Sequence, residues 1–524
     1  SKGGAGSEEL TTGLGRGRRH RRRVGVALNL VALRAARDIL GMRLAPVVAL
    51  LLAFAASSLL AQGAASAPAQ AVTRRDLADA YLQVDRIAAE RGIPEAKRGE
   101  WNEAFDRTTL AFFGGDFAKV LRDMHDLTAR MLGDSAVGSP TRQLLALRLR
   151  AEPRILTPSD SSLRLVLTVM YGADADPARR IRLRVVGRDG QTVTGGDVVV
   201  PAGSAAGRRI EFVVSHRQLP PPNVRLTAIA ELEGAATTLE VPVFLFERSA
   251  DSLRADLERA ASAAPAGGDL QALASVRARI ALLRDVPDEG NTAQFLADPL
   301  ALTAALVDEM LALSMGRNPY RRTGDIWRVL QMPSGPVAFR LYVPPQARAN
   351  PRLPLVIALH GAGADENMFL EGYGHGRLRT LADSLGFIVA SPMTTDFVRE
   401  PATLDSLLAV VARSNDFDRA RVYLVGHSLG AGVSLRLAAQ RRDVVRAAAL
   451  IAGAGSVPAA ESIAPTLFIA AERDLVIPAS RVRAAYEQLR AAAAPVEFEM
   501  ATGWGHTLVV GPALDRAVAF LLRH

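Results

Sequence analysis

Gly426-His427-Ser428-Leu429-Gly430 sets a serine between two glycines, directly after the apolar run Val422-Tyr423-Leu424-Val425 and directly before a helical pattern over 429–441. A serine hydroxyl attacks only where a base takes its proton, and the Gly-x-Ser-x-Gly spacing puts it on a sharp strand-to-helix turn. Side chains at either flanking glycine would collide with the neighbouring strand and helix. The helix that follows aims its first amide groups at the negative charge formed on attack. Bare Gly-x-Ser-x-Gly arises by chance in long chains, but between a hydrophobic strand and a helix it points to acyl transfer.

Elimination narrows the base. The C-terminal half holds His360, His375, His427, His506 and His524. His427 lies inside the serine turn, His360 ends a strand, His524 is terminal, and His375 precedes the serine. On such a turn the partners follow in the order Ser, acid, His, which leaves His506 in Gly503-Trp504-Gly505-His506. The orienting acid should follow the strand Pro465-Thr466-Leu467-Phe468-Ile469-Ala470. Asp474, just before Val476-Ile477-Pro478, is the first choice to accept the imidazole Nδ1 proton, with Glu472 as the fallback. Two backbone N–H groups are needed for the developing oxyanion: Leu429, after the nucleophile, and Ala362 in His360-Gly361-Ala362-Gly363, with Gly361 next.

The elements that must carry these residues alternate. Trp327–Gln331 and Val337–Val343 read as an opening strand pair, and Leu355–Leu359 as a strand covered on both faces. Helix 376–385, strand 387–390, helix 402–413, strand 422–425, helix 429–441 and strand 446–451 follow. Strand 466–470, helix 479–492, strand 496–500 and helix 512–522 complete a mostly parallel sheet wrapped on both faces.

Leu359-His360-Gly361-Ala362-Gly363-Ala364-Asp365-Glu366-Asn367 together with Gly426-His427-Ser428-Leu429-Gly430 resembles the α/β-hydrolase superfamily. The closest likeness is to secreted esterases grouped with polyhydroxybutyrate depolymerases, feruloyl esterases and prolyl-oligopeptidase-like hydrolases. The resemblance implies attack by Ser428, an acyl-enzyme, water-driven release assisted by His506, and no cofactor or metal. The substrate would be a small-molecule or polymer-derived ester. Depolymerases of that group often carry cysteines near the active site, and this chain has none. The alternatives are a prolyl-oligopeptidase-like serine peptidase, whose large propeller a stretch of about 95 residues is too short to form, and a non-catalytic binding protein on a hydrolase scaffold.

Upstream of the catalytic domain, 320–524, periodicity changes twice. Residues 72–150 read as a helical domain with helices over 76–91, 95–113 and 116–132. Trp101, Phe105, Phe112, Phe113 and Phe117 there read as the core of a helical hairpin rather than a ligand groove. Residues 151–248 alternate apolar with polar between frequent turns, as in a β-sandwich-like domain. Residues 249–319 read as a helical connector. No long insertion interrupts the core strands, so the pocket is expected to be open.

The net charge of +9 is concentrated at one end. Residues 1–43 carry ten basic and three acidic side chains, leaving +2 for everything after them. A near-neutral body has no field to gather phosphates, which argues against nucleic-acid binding. Residues 1–41 read as a disordered basic extension. The segment 42–71 reads as a signal peptide, positive start, apolar middle and Ala69-Gln70-Ala71 end, with cleavage before Val72. This predicts a secreted or periplasmic protein with no stable membrane anchor, an uncleaved anchor being the lesser possibility. With no cysteine in 524 residues, disulfides, thiolate metal sites and cysteine nucleophiles are excluded.

Overall fold

The computed structural model describes residues 72–524 apart from 135, 173–175, 264–268, 285–289, 351, 401 and 458–462. The extension 1–41 and the signal segment 42–71 lie outside the described residues. Among the described residues no helix is long and apolar enough to cross a membrane.

Three helices open the described chain: α1 (Arg74–Arg91), α2 (Glu95–Phe113) and α3 (Phe117–Met131). Thr73 and Asp76 form a reciprocal capping box on α1, and the Asp116 side chain caps α3. Their apolar faces, including Val84, Phe105, Val120 and Leu127, share one core with Leu508 and Trp504 from the far end of the chain. The helices therefore pack on the C-terminal part of the molecule as well as on each other.

A short helix, α4 (Pro140–Leu145), leads into eight strands: β1 (Leu147–Glu152), β2 (Ile155–Leu156), β3 (Ser162–Val169), β4 (Arg179–Val186), β5 (Thr192–Val200), β6 (Arg209–Ser215), β7 (Val224–Leu232) and β8 (Leu239–Leu245). They form sheets of order β1-β3-β6 and β2-β8-β7-β4-β5. In β4 the buried Ile181, Leu183 and Val185 alternate with Arg180, Arg182 and Arg184. Those inward residues meet Leu163, Leu165 and Leu167 of the facing sheet in a single core, which makes the pair a sandwich. Four helices follow: α5 (Ala250–Ser262), α6 (Leu270–Ile280), α7 (Thr292–Leu296) and α8 (Pro299–Ser314).

The last eight strands are β9 (Gly324–Met332), β10 (Gly335–Val343), β11 (Leu353–Leu359), β12 (Ile388–Pro392), β13 (Phe417–His427), β14 (Val445–Ile451), β15 (Thr466–Ala471) and β16 (Val496–Ala501). Their order is β9-β10-β12-β11-β13-β14-β15-β16. The pairs β9–β10 and β10–β12 are antiparallel, and every later pair is parallel. All seven residues of β11 are buried, Leu355, Ile357 and Leu359 facing one core and Val356 and Ala358 the other. Helices cover both faces: α9 (Met368–Glu371), α10 (Tyr373–Leu385), α11 (Thr394–Arg399), α12 (Thr403–Ser414), α13 (Leu429–Gln440), α14 (Ala479–Ala491) and α15 (Val510–Arg523). This is the α/β-hydrolase fold. The connection from β11 runs to β12 on one side and the next, from β12, crosses back to β13 on the other, so a crevice opens at the strands' carboxyl ends. Four short helices go beyond the sequence pattern, α4, α7, α9 and α11, each too brief to show a helical period.

Candidate active site

Ser428 sits between the last residue of β13 and the first of α13, as the helix N-cap, with φ 53° and ψ −112°, a conformation rare for any residue with a side chain. Its N–H donates to Ile451 O at 3.0 Å, which holds the turn against the next strand. A Cβ on Gly430 would stand 1.8 Å from Leu359 O, and one on Gly426 2.3 Å from Gly430 O. Only glycine fits at either side of the serine.

His506 lies in the loop between β16 and α15. Its Nε2 is 3.0 Å from Ser428 Oγ and its Nδ1 2.8 Å from Asp474 Oδ2. With the proton on Nδ1 shared with Asp474, Nε2 faces the serine as an acceptor. The other Asp474 oxygen accepts from Val476 N at 2.8 Å and Ile477 N at 2.7 Å, so the carboxylate is fixed at both ends. Its side chain is 0% exposed and that of His506 3%. Glu472 instead accepts from Gly503 N at 2.8 Å on the exposed side of the loop. The three residues singled out from sequence are thus brought together, and the fallback acid is not among them.

Leu429 is the first residue of α13, where an N–H has no partner inside the helix. Gly361 N–H is directed at Tyr373 Oη, 3.4 Å away. Ala362, next along, lines the same cavity as Ser428 and His506. The loop carrying it is fastened by Arg74, whose guanidinium donates to Asp365 at 2.8 Å, and by Arg340, which donates to Asn367 at 2.7 Å and Glu371 at 2.8 Å.

His360 and His427 are committed elsewhere. His360 Nδ1 is 2.8 Å from Gly361 O, and its Nε2 accepts from Thr394 N at 3.1 Å. His427 Nε2 is 3.0 Å from His506 O and its Nδ1 2.6 Å from Tyr373 Oη. Burial, with the nearby His506 second, holds the His427 ring well below its ordinary pKa, hence neutral. Tyr373 opens a run with positive φ through Gly376, and Asp85 of α1 accepts from Gly374 N at 3.1 Å and His375 N at 2.6 Å within it.

Sequence reasoning missed the part that α2 takes. Asp106 accepts from His506 N at 2.9 and 3.0 Å and from Leu475 N at 3.0 Å. Asn102, one turn earlier, accepts from Gly505 N at 2.8 Å. Two side chains of one helix therefore grip the His506 loop and the Asp474 loop together. Burial pushes the Asp106 carboxyl up to about 6, outweighing those N–H bonds, and the Asp474 charge adds to the rise. The available signal was an acid and an amide at i, i+4 beside Trp101 and Phe105, polar groups on an apolar face.

Two expectations need correction. The pocket is not simply open: α1–α3 stand over it, supplied by the chain before the fold rather than by an insertion between its strands. The aromatics of α2 and α3 are not only a hairpin core. Phe105, Phe112, Phe113 and Phe117 line a cavity of about 360 Å³ that reaches Ser428 and His506. Helical spacing looks the same whether an apolar face meets another helix or a cavity.

Residues 390–512 match the family model of the dienelactone hydrolase family. The sequence is 32% identical over 143 residues to feruloyl esterase B of Thermothelomyces thermophilus, covering 24% of this chain and 47% of that protein. It is 34% identical over 145 residues to the esterase NocK of Nocardia uniformis subsp. tsuyamanensis, covering 25% and 41% respectively. The chain spans less than half the length of both curated relatives. The solved S-formylglutathione hydrolase of Staphylococcus aureus aligns over 38% of this chain and 98% of its own, at 15% identity and a TM-score of 0.32.

Proposed function

We propose that the protein is a serine carboxylester hydrolase whose triad is Ser428, His506 and Asp474. The observation that carries this reading is the continuous array from Ser428 Oγ to His506 (3.0 Å) and from His506 to Asp474 (2.8 Å) on a strained strand-to-helix turn. His506 Nε2 takes the serine proton as Oγ bonds to the ester carbonyl carbon, and Asp474 stabilises the imidazolium. The Leu429 and Ala362 N–H groups receive the oxyanion. Collapse expels the alcohol, protonated by His506, and leaves an acyl-serine. Water, deprotonated by His506, then attacks the acyl carbon, and Ser428 leaves with the proton returned.

The similarity to proteins described as esterases supports an ester rather than another acyl substrate. We read 72–150 as a helical cover, 151–248 as a sandwich, 249–319 as a connector and 320–524 as the catalytic unit. The pattern of 42–71 supports export.

The test is hydrolysis of p-nitrophenyl esters by residues 72–524 beside Ser428→Ala. The variant should fold normally and lose kcat by a factor on the order of 10⁶. Equal activity in the two proteins would overturn the assignment.

A further inference from the structure

We propose that α1–α3 build an apolar, uncharged subsite for the hydrophobic part of the ester, so that uncharged hydrophobic esters are the substrate class. This rests on the ester-hydrolase reading and extends it. The cavity above Ser428 is walled on the helical side by Leu77, Phe105, Phe112, Phe113, Val120 and Met124. Phe112 lies directly on the loop that carries Ala362: a Cβ on Gly363 would stand 2.5 Å from its ring. The apolar wall and the reacting serine thus belong to one cavity.

Two hydroxyls of that wall are turned away from a ligand. Thr108 Oγ1 donates to Ala104 O at 3.1 Å and Thr109 Oγ1 to Phe105 O at 3.2 Å, both back onto their own helix. The charges at the rim are matched within the protein. Arg74 is spent on Asp365 and Thr292, and Glu371 on Arg340. A substrate carboxylate or ammonium entering here would lose its water and find no free counter-charge. An aliphatic or single-ring group loses nothing by entering. At about 360 Å³ the cavity lies near the small end of ligand pockets, about 300–1,000 Å³. It suits one ring or a medium chain, not a polymer segment.

The test has two arms, because the apolar group could belong to either side of the ester. One is p-nitrophenyl esters from acetate to dodecanoate; the other is acetates of alcohols from methanol to octanol. In the arm that uses the subsite, kcat/KM should rise about three- to fourfold per methylene and then level off as the cavity fills. Adding a terminal carboxylate to the favoured chain should lower kcat/KM at least a hundredfold. Ala78→Trp, on α1 inside the cavity, should cut the octyl-to-acetyl or octyl-to-methyl ratio of that arm at least tenfold.

Flat profiles in both arms, with Ser428-dependent turnover intact, would overturn the subsite and leave the hydrolase reading standing. If no ester is turned over, alkyl fluorophosphonates of rising chain length separate the two ideas. Labelling of Ser428 that accelerates with chain length supports the subsite without hydrolysis, and absence of labelling overturns both. The wild-type series stands by itself if Ala78→Trp fails to fold.

Discussion

His427 is the neighbour of Ser428, yet its two ring nitrogens are engaged away from it. Its Nε2–H donates to His506 O, and its Nδ1 accepts from Tyr373, whose oxygen lies 3.4 Å from Gly361 N–H. One tyrosine and one neutral imidazole therefore link the oxyanion loop, the serine turn and the base loop. Tyr373→Phe leaves a buried nitrogen without a donor, a cost of about 1–3 kcal/mol; urea unfolding should read that loss, with kcat falling and KM nearly unchanged. At the triad, Asp474→Asn keeps the shape and reverses the His506 tautomer. Its kcat should drop about 10⁴-fold. Asp106 gives a pH test. Its raised pKa means that its contribution to stability is full below the unfolded value and lost as pH rises through about 6. The wild-type Tm minus that of Asp106→Asn should therefore fall between about pH 4 and 6.5 and then level off. A difference constant with pH would show that the buried carboxyl does not titrate there. Ser428, Asp474 and His506 could be singled out from sequence because chain order and the strand-to-helix turn constrain them. For Asp106 and Asn102 the sequence shows only two polar groups on an apolar helix face; their partners are backbone N–H groups, which leave no trace in residue type.

At the scale of elements, α2 acts as a brace laid across two loops that the sheet alone does not hold. Asn102→Ala combined with Asp106→Ala should lower kcat at least tenfold while the circular dichroism spectrum stays that of the wild type. Loss of ester affinity with kcat preserved would contradict the brace. The strands and helices of the catalytic half were legible because continuous apolar runs alternate with 3.6-residue periods. Strand β13 nevertheless starts at Phe417, five residues before its apolar run, because Phe417 pairs with Leu353 across an irregularity in the ladder. The cover over the pocket was not legible. Val84 and Asp85 are both buried on α1, one in the helical core and one on the Gly374–His375 turn, and periodicity shows only that such a face is covered.

Across the whole molecule the sandwich has a mechanical part. Arg148 and Arg150 on β1 reach Asp76 of α1 at 2.9 and 2.7 Å, while Arg74 of the same helix holds Asp365 beside the active site. The cover is thus pinned from both sides. Burial alone would raise the Asp76 carboxyl, but Arg150, Arg148 and the Thr73 bonds outweigh it and hold it below its ordinary value. Its stabilising contribution is present above the unfolded pKa and disappears as pH falls through the lower, folded one. Asp76→Ala would leave Arg148 without its carboxylate and Arg150 with the more distant Asp79 at 4.0 Å, at a cost of about 3–5 kcal/mol in global unfolding. An unchanged denaturation midpoint would show that Asp76 does not pin the cover. Pairs so far apart along the chain have no sequence pattern, which is why the sandwich could be recognised while its purpose could not.

The contact between Asp106 and His506 spans 400 residues. Ribosomes add about 5–20 residues per second, so roughly 20–80 s separate the synthesis of the brace from that of the base. Throughout that interval the aromatic helices are already made and have nothing of the catalytic sheet's far end to cover. The nascent polypeptide is consequently latent: it emerges with its binding wall first and its reactivity last. A ribosome stalled before Gly505 would release a chain that has Ser428 but lacks the base proposed for it.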